Sequence, residues 1–259
     1  MPVTPTPSSM TPFWNACART DQTCGIVELS VLTAPAFSAA AKATLAKKCK
    51  DHYVSRKWLT TFGRKKLAAK LNAVLPVSKR QRSGDLGEIL ATEYVNRKEW
   101  DYVIPVLRLR WKDSRELPMR GEDGVGFNFG VKPIGLLKVE AKSRAVLKDT
   151  VLVEARTGLK KHKGRPAPFV ISFIVERLLD DGNVKVARMI EDQTAGARLL
   201  DARELAHLLF VFSGNDPTAL LKTNLTPLKS KGIRQLAVAL HCAEHQAFIE
   251  EIFTEASRG

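Results

Sequence analysis

Gly121-Glu-Asp-Gly124 and, shortly after it, Leu136-Leu-Lys-Val-Glu-Ala-Lys142 are the stretches on which the reading of this chain turns. Side chains alternate faces along a strand, so Glu140 and Lys142 point one way while Ala141 enters the opposite layer. The two glycines let the backbone turn sharply around Glu122 and Asp123 and expose a carboxylate. A carboxylate and an ammonium then stand side by side at the end of an apolar strand, beside a second carboxylate, Asp123. Glu-x-Lys alone carries little weight, because about one such triplet arises by chance in a chain of this length. Its weight comes from its surroundings.

Upstream, Ser83–Asn96 places Leu86, Ile89, Leu90 and Tyr94 at helical spacing, with Glu88 on the other side of the wheel near Gly84 and Ala91. Tyr102–Trp111 alternates like a strand, with Val103, Pro105, Leu107, Leu109 and Trp111 on one face. A charged turn, Lys112–Arg120, leads to strands expected at Gly124–Phe129 and Gly135–Lys142. A helix at Thr150–Lys161 and a β-branched strand at Pro168–Val175 follow. Helix, three strands, helix, strand is the αβββαβ order of a restriction-endonuclease-like core, so the expected fold is α/β of that kind. Further on, Val184–Ile190 reads as a strand, Asp201–Phe212 as a helix capped by Asp201, and Ile233–Ala256 as a long amphipathic helix.

Residues 1–36 are rich in Pro, Thr and Ser and hold one strand-like piece, Gly25–Leu32, so a poorly ordered start is expected. Residues 37–82 read as two basic helices, Ser38–Leu59 and Arg64–Leu75, parted by Gly63 and ended by Pro76, forming an appendage. Residues 83–259 hold the expected core domain and a C-terminal helical region.

The net charge of +14 is concentrated: Lys42–Arg82 carries thirteen Lys/Arg against one acid, Asp51. A solvated helix face would look the same, but Trp58 and Phe62 are interleaved with the charges. Such a block attracts polyanions, and DNA or RNA is the expected partner, with Arg64, Lys65 and Lys66 among the contacts.

The 259 residues allow one large domain, and 44% hydrophobic residues allow a sizeable core. Cys17, Cys24, Cys49 and Cys242 have no metal-ligand spacing and point to a reducing interior. No apolar run reaches membrane-span length, and the N-terminus lacks a leader's pattern, so a soluble cytoplasmic protein without a membrane partner is expected. A Walker-type phosphate loop is absent, so ATP hydrolysis by this chain is not expected. His241-Cys-Ala-Glu-His245 matches the H-x-x-E-H zinc pattern, but only fourteen residues follow it, too few for a distant third ligand. It reads as a chance match on an amphipathic helix.

The residue types suit metal-dependent phosphodiester hydrolysis. Mg²⁺ takes oxygen ligands and keeps several waters, so Asp123, Glu140 and the Ala141 carbonyl suffice to hold it, and Mn²⁺ would serve equally. The cation polarises the phosphate and makes water a better nucleophile. Lys142 would orient that water and offset transition-state charge. Glu88 would complete the acidic pocket. Glu122 competes with Asp123 for the ligand role. Arg144 could grip a phosphate if the strand continues. Lys160, Lys161, Lys163 and Arg165 complement a helix dipole, and would also track a DNA backbone.

Together, Ser83-Gly-Asp-Leu-Gly-Glu-Ile-Leu90, Leu109-Arg-Trp-Lys-Asp113, Met119-Arg-Gly-Glu-Asp-Gly-Val-Gly-Phe127 and Lys138-Val-Glu-Ala-Lys-Ser-Arg-Ala145 resemble the HamA component of Hachiman anti-phage defence. That family lies in the PD-(D/E)xK nuclease superfamily. The similarity covers roughly Ser83–Ala256 and excludes the basic appendage. The resemblance implies a nuclease effector paired with HamB, a superfamily 2 helicase that restrains it until aberrant DNA is engaged. It implies broad DNA cleavage and a catalytic set of Glu88, Asp123, Glu140 and Lys142. A non-catalytic DNA-binding adaptor of a helicase, or a structure-selective or RNA-directed nuclease, are the alternatives.

Overall fold

The computed structural model describes residues 10–97, 99–194, 204–228 and 232–258. Six strands, β1 (Ala18–Cys24), β2 (Val27–Thr33), β3 (Gly124–Asn128), β4 (Gly135–Arg144), β5 (Leu205–Ser213) and β6 (Arg234–His241), build one sheet in the order β1-β2-β6-β5-β4-β3. The four inner strands β2, β6, β5 and β4 run parallel, and β1 and β3 close the edges antiparallel. The mixed α/β class is as expected.

Helices cover both faces. On one, Leu137 and Val139 of β4, Phe210 of β5 and Val238 of β6 pack into a core with α4 (Lys79–Val95), α9 (His245–Ser257), α2 (Ala39–Tyr53) and α1 (Thr11–Ala16). On the other, Leu209, Val211, Ala237 and Ala239 meet Leu152, Ala155 and Leu159 of α5 (Asp149–Lys160) and Leu221 of α8 (Thr218–Leu225). A third cluster at the β3 edge joins Val125, Phe127 and Leu136 to α6 (Pro168–Asp180) and α7 (Val184–Thr194). Odd-numbered residues of β4 thus face α4, and even-numbered ones face the α5 layer. Gly87 of α4 would place a Cβ 3.0 Å from Ser143 Cβ, so its missing side chain permits the close approach of helix and strand.

Several expectations are corrected. The poorly ordered start does not hold for Met10–Thr33: Phe13 and Trp14 are buried in the α4 core, and β1 and β2 belong to the sheet. Residues 1–9 lie outside the described part. The basic helices are not a simple appendage, because Leu45, Ala46, Cys49 and Tyr53 of α2 share that core. Ser55 caps α3 (Arg56–Val74), which is bent at Gly63, where φ is 79°. Tyr102–Trp111 is no strand: Pro105 cannot donate to a ladder, pairing stops at a single Val103–Phe127 bridge, and a 3-10 turn takes over at Arg108–Trp111. Pro168–Val175 belongs to α6, where Pro168 sits in the first turn and Val170, Ile171, Ile174 and Leu178 form a helical stripe. Val184–Ile190 is also helical, as α7.

Asp201–Phe212 is strand rather than helix from Leu205 on, and Ile233–Ala256 is β6 followed by α9. All nine residues of β5 are buried, so it has no polar alternation to separate it from a buried helix. Residues 201–203 lie outside the described part. In chain order, then, α4, β3, β4 and α5 hold, the first expected strand shrinks to a bridge, and the last becomes β5, reached through α6 and α7.

Candidate active site

The sheet presents Glu140 and Lys142 on one face of β4, as the alternation requires. Val139 is the last β4 residue paired with β3, opposite Gly124, so beyond it β4 meets the chain entering β3. There Asp123 Oδ2 accepts a hydrogen bond from Ala141 N at 2.8 Å. The N–H and C=O of one strand residue point to the same edge, so the Ala141 carbonyl also faces the Asp123 side. Ala141 itself packs toward the α4 core.

Glu88 is buried on α4, and its Oε2 has no hydrogen-bond partner; Arg108 Nε stands 3.9 Å away. Burial pushes the Glu88 carboxyl well above its usual range, Arg108 opposes this, and Asp123 and Asp85 add to it. Burial likewise raises Asp123, against the pull of the Ala141 N–H, Arg108 and Lys142. Burial raises Glu140 too, with Asp123 adding and Lys142 opposing. Asp123 therefore links the two other acids electrostatically: each feels its charge. At each of the three carboxyls burial is the largest cause of the rise.

Lys142 Nζ lies 2.9 Å from Glu140 Oε1 and 3.1 Å from Glu154 Oε1. Burial alone would lower this ammonium's pKa, but Glu140, Glu154 and Asp123 together raise it, so it stays charged. Glu154, on α5, was not found by sequence reasoning. The signal was its place in the helix that directly follows β4 and returns across its end. Gly158, one turn on, would set a Cβ 2.8 Å from Glu140 Oε2, so a glycine there makes room for the carboxylate.

Glu122 turns away from this role. It faces Lys138 Nζ at 3.4 Å and accepts from Ala167 N at 3.1 Å. Lys138 is buried, and it also donates to the carbonyls of Lys161 and Arg165. Those contacts anchor a turn in which His162, Lys163 and Gly164 all take left-handed backbone. Arg108 was also missed. It lies in the 3-10 turn with Nη1 buried and without a hydrogen-bond partner, and its Nη2 donates to the Arg120 carbonyl at 3.0 Å.

The quoted motifs meet through a buried ion pair, Lys112 Nζ to Asp85 Oδ2 at 2.7 Å. Gln81 Nε2 donates to Asp85 Oδ1 at 2.7 Å, and Tyr53 Oη donates to Oδ2. Behind Lys142, Ser143 Oγ bonds Ser83 Oγ at 2.8 Å and His245 Nε2 at 3.0 Å. Burial lowers the His245 pKa to about 4, so it is a neutral packing residue. His241 lies on β6 and bonds the Gly214 carbonyl, not on a shared helix face with His245 as expected.

Of the outlying cations, Lys161 lines a cleft with Glu140, Asp123, Glu154 and His162. Lys160 and Lys163 are exposed nearby, and Arg165 is half-buried. Arg144 is on β4, as foreseen, exposed, with Nη1 donating to the Ser143 carbonyl. Arg64, Lys65 and Lys66 belong to α3. Lys66 sits 5.4 Å from the Phe62 ring.

Among the described residues no group of three His, Cys, Asp or Glu side chains is placed to hold a metal. Two carboxylates and a main-chain carbonyl remain, Asp123, Glu140 and Ala141, and a hard cation that keeps its waters needs no more. The raised acids and the unpartnered Glu88 Oε2 fit such a group.

Fold and site together describe a mixed α/β protein with an acid-lysine cluster at one end of a parallel strand. The family model described as HamA matches residues 20–256, and the chain belongs to that family. It is 25% identical over 183 residues to the Hachiman protein HamA of Bacillus cereus, an alignment covering 71% of this chain and 64% of that relative. The chain thus matches just under two thirds of the relative's length. No helix among the described residues is long and apolar enough to cross a membrane.

Proposed function

We propose that this chain is a Mg²⁺- or Mn²⁺-dependent DNA nuclease of anti-phage defence, with low sequence specificity, restrained and released by a partner helicase. The observation that carries the reading is Asp123: it hydrogen-bonds the Ala141 N–H and raises the pKa of both Glu88 and Glu140. Further support comes from the run α4, β3, β4, α5, which agrees with the expected order of a restriction-endonuclease-like core, although α6 and α7 then precede β5. The defence role rests on family membership and on the Hachiman name of the relative, and the helicase partner on the resemblance of the sequence motifs alone.

In this proposal Asp123, Glu140 and the Ala141 carbonyl would hold the cation, which would supply charge neutralisation and water activation. Asp123 fixes the Ala141 peptide through its hydrogen bond. Lys142 keeps its proton between Glu140 and Glu154 and presents a positive charge to an incoming phosphate. Lys161 and His162 line the same cleft and bind backbone phosphates.

Purified chain, with and without the helicase, on linear and plasmid DNA tests this. Glu140→Ala and Lys142→Ala are expected to lose about a hundred-fold or more of the cleavage rate. Equal cleavage by both variants and the wild type would sink the site assignment. A second reading, a DNA-binding adaptor without catalysis, is favoured by one observation: Lys142 is engaged in ion pairs with both Glu140 and Glu154. Protection from phage retained by a Lys142→Ala strain would select it.

A further inference from the structure

A second cleft opens beside Asp123, and its chemistry differs from the first. It has a volume of about 360 Å³ and shares Glu122, Asp123 and Phe169 with the polar cleft. One wall is α6, with Phe169, Val170 and Phe173; the other is the Trp111–Arg120 segment, with Leu117 and Met119. Phe169 and Leu117 stand at 56% and 63% exposure, large apolar side chains left open to solvent. Trp111 meets Phe173 edge to face, with ring centroids 5.8 Å apart. Two cations, Arg108 and Arg120, line the same space, and Arg108 Nη1 is buried without a hydrogen-bond partner.

Concave, largely apolar, aromatic-walled spaces with a few converging polar groups are built to take a flat ligand. Arg108 and Arg120 line the space, so the ligand carries polar atoms as well as a ring. It also extends into the adjoining cleft, which is lined by Lys161 and His162 beside the carboxylates of Asp123, Glu140 and Glu154. We propose that this cavity receives an unstacked nucleobase of a single DNA strand, whose backbone continues past Asp123 into the polar cleft. A base inside an intact duplex has no free face to offer, so the substrate is single-stranded or locally unwound DNA. Phe169 supplies a stacking surface at the mouth, and the arginines that line the space, Arg108 and Arg120, supply its positive charge. The inference rests on the nuclease reading, and it names the form of DNA that reading takes.

The full chain carrying Glu140→Gln, which should not cut, allows binding to be read alone by fluorescence anisotropy. The probes are a short labelled DNA single strand and the same backbone made wholly abasic. Phe169→Ala should weaken binding of the first at least about five-fold, the loss of one base–aromatic stack, and leave the abasic strand unchanged. Leu117→Ala, on the opposite wall, should act in the same direction. Both residues are exposed, so neither change threatens folding. Equal effects on the two strands, no effect on either, or no single-strand binding at all would overturn the proposal; a peptide or small apolar occupant would give the second of these. Failure of the nuclease reading looks different: Glu140→Ala and Lys142→Ala would cut like the wild type while the base-dependent loss persisted.

Discussion

A carboxyl held above its ordinary pKa weakens the fold when it is forced to ionise. Glu88 is such a group, raised by burial far from its usual value of 4.5. Between the ordinary and the raised pKa the native chain binds more protons than the unfolded one, so its contribution to stability falls as pH rises. Glu88→Gln removes that dependence. Its melting temperature should match the wild type near pH 4 and exceed it increasingly toward neutral pH, without divalent cation. A pH-independent difference between the two melting curves would show that Glu88 is not held this way. The choice between Glu122 and Asp123 also belongs to single residues. Both sit between the same glycines, and the sequence favours Asp123 only by its place directly before Gly124 and the strand. What separates them is Lys138, buried and placed to pair with Glu122. Arg108 and Glu154 were illegible for a related reason: each reaches the cluster from an element whose position depends on tertiary packing.

The helix α5 decides how much room Glu140 has. With Gly158 replaced by Ala, the new Cβ would fall within 2.8 Å of Glu140 Oε2, and the carboxylate has to shift. Ala is favoured over Gly within a helix by about 1 kcal/mol, so the fold itself should not suffer. Cleavage by Gly158→Ala is expected to drop about ten- to hundred-fold, as misplaced reacting groups do, with a melting temperature equal to or above the wild type. Unchanged turnover would mean that Glu140 tolerates displacement. Elements that keep some polar periodicity, such as α5 and the Glu140–Lys142 end of β4, could be read from the chain. The strand β5 could not, because burial on both faces erases the period. In α6 the run Phe-Val-Ile-Ser-Phe-Ile-Val has strand composition, yet its buried positions follow a helical stripe and Pro168 starts it. Packing overrode propensity there.

The whole molecule draws its core from both ends of the chain. Phe13 and Trp14 pack against Tyr94 and Phe248, and β2 pairs along its full length with β6. Deleting residues 1–33 removes two buried aromatic side chains, each loss costing about 3–5 kcal/mol, from a total of about 5–15. The truncated chain should show no cooperative thermal transition by circular dichroism; a normal melt would show that the N-terminal strands are dispensable. A Pro- and Thr-rich start concealed this, since composition does not reveal a strand whose partner lies two hundred residues away. One contact sets how the second cleft behaves mechanically. Lys112 begins the loop that walls it and is locked to Asp85 on α4, and Glu116, further along, accepts from Val77 N and Ser78 N. Separating Lys112 from Asp85 would strand two charges in a dry interior, a penalty of several kcal/mol. The wall is therefore bolted rather than hinged: its aperture is set when the chain folds, and a guest is admitted by size instead of being grasped.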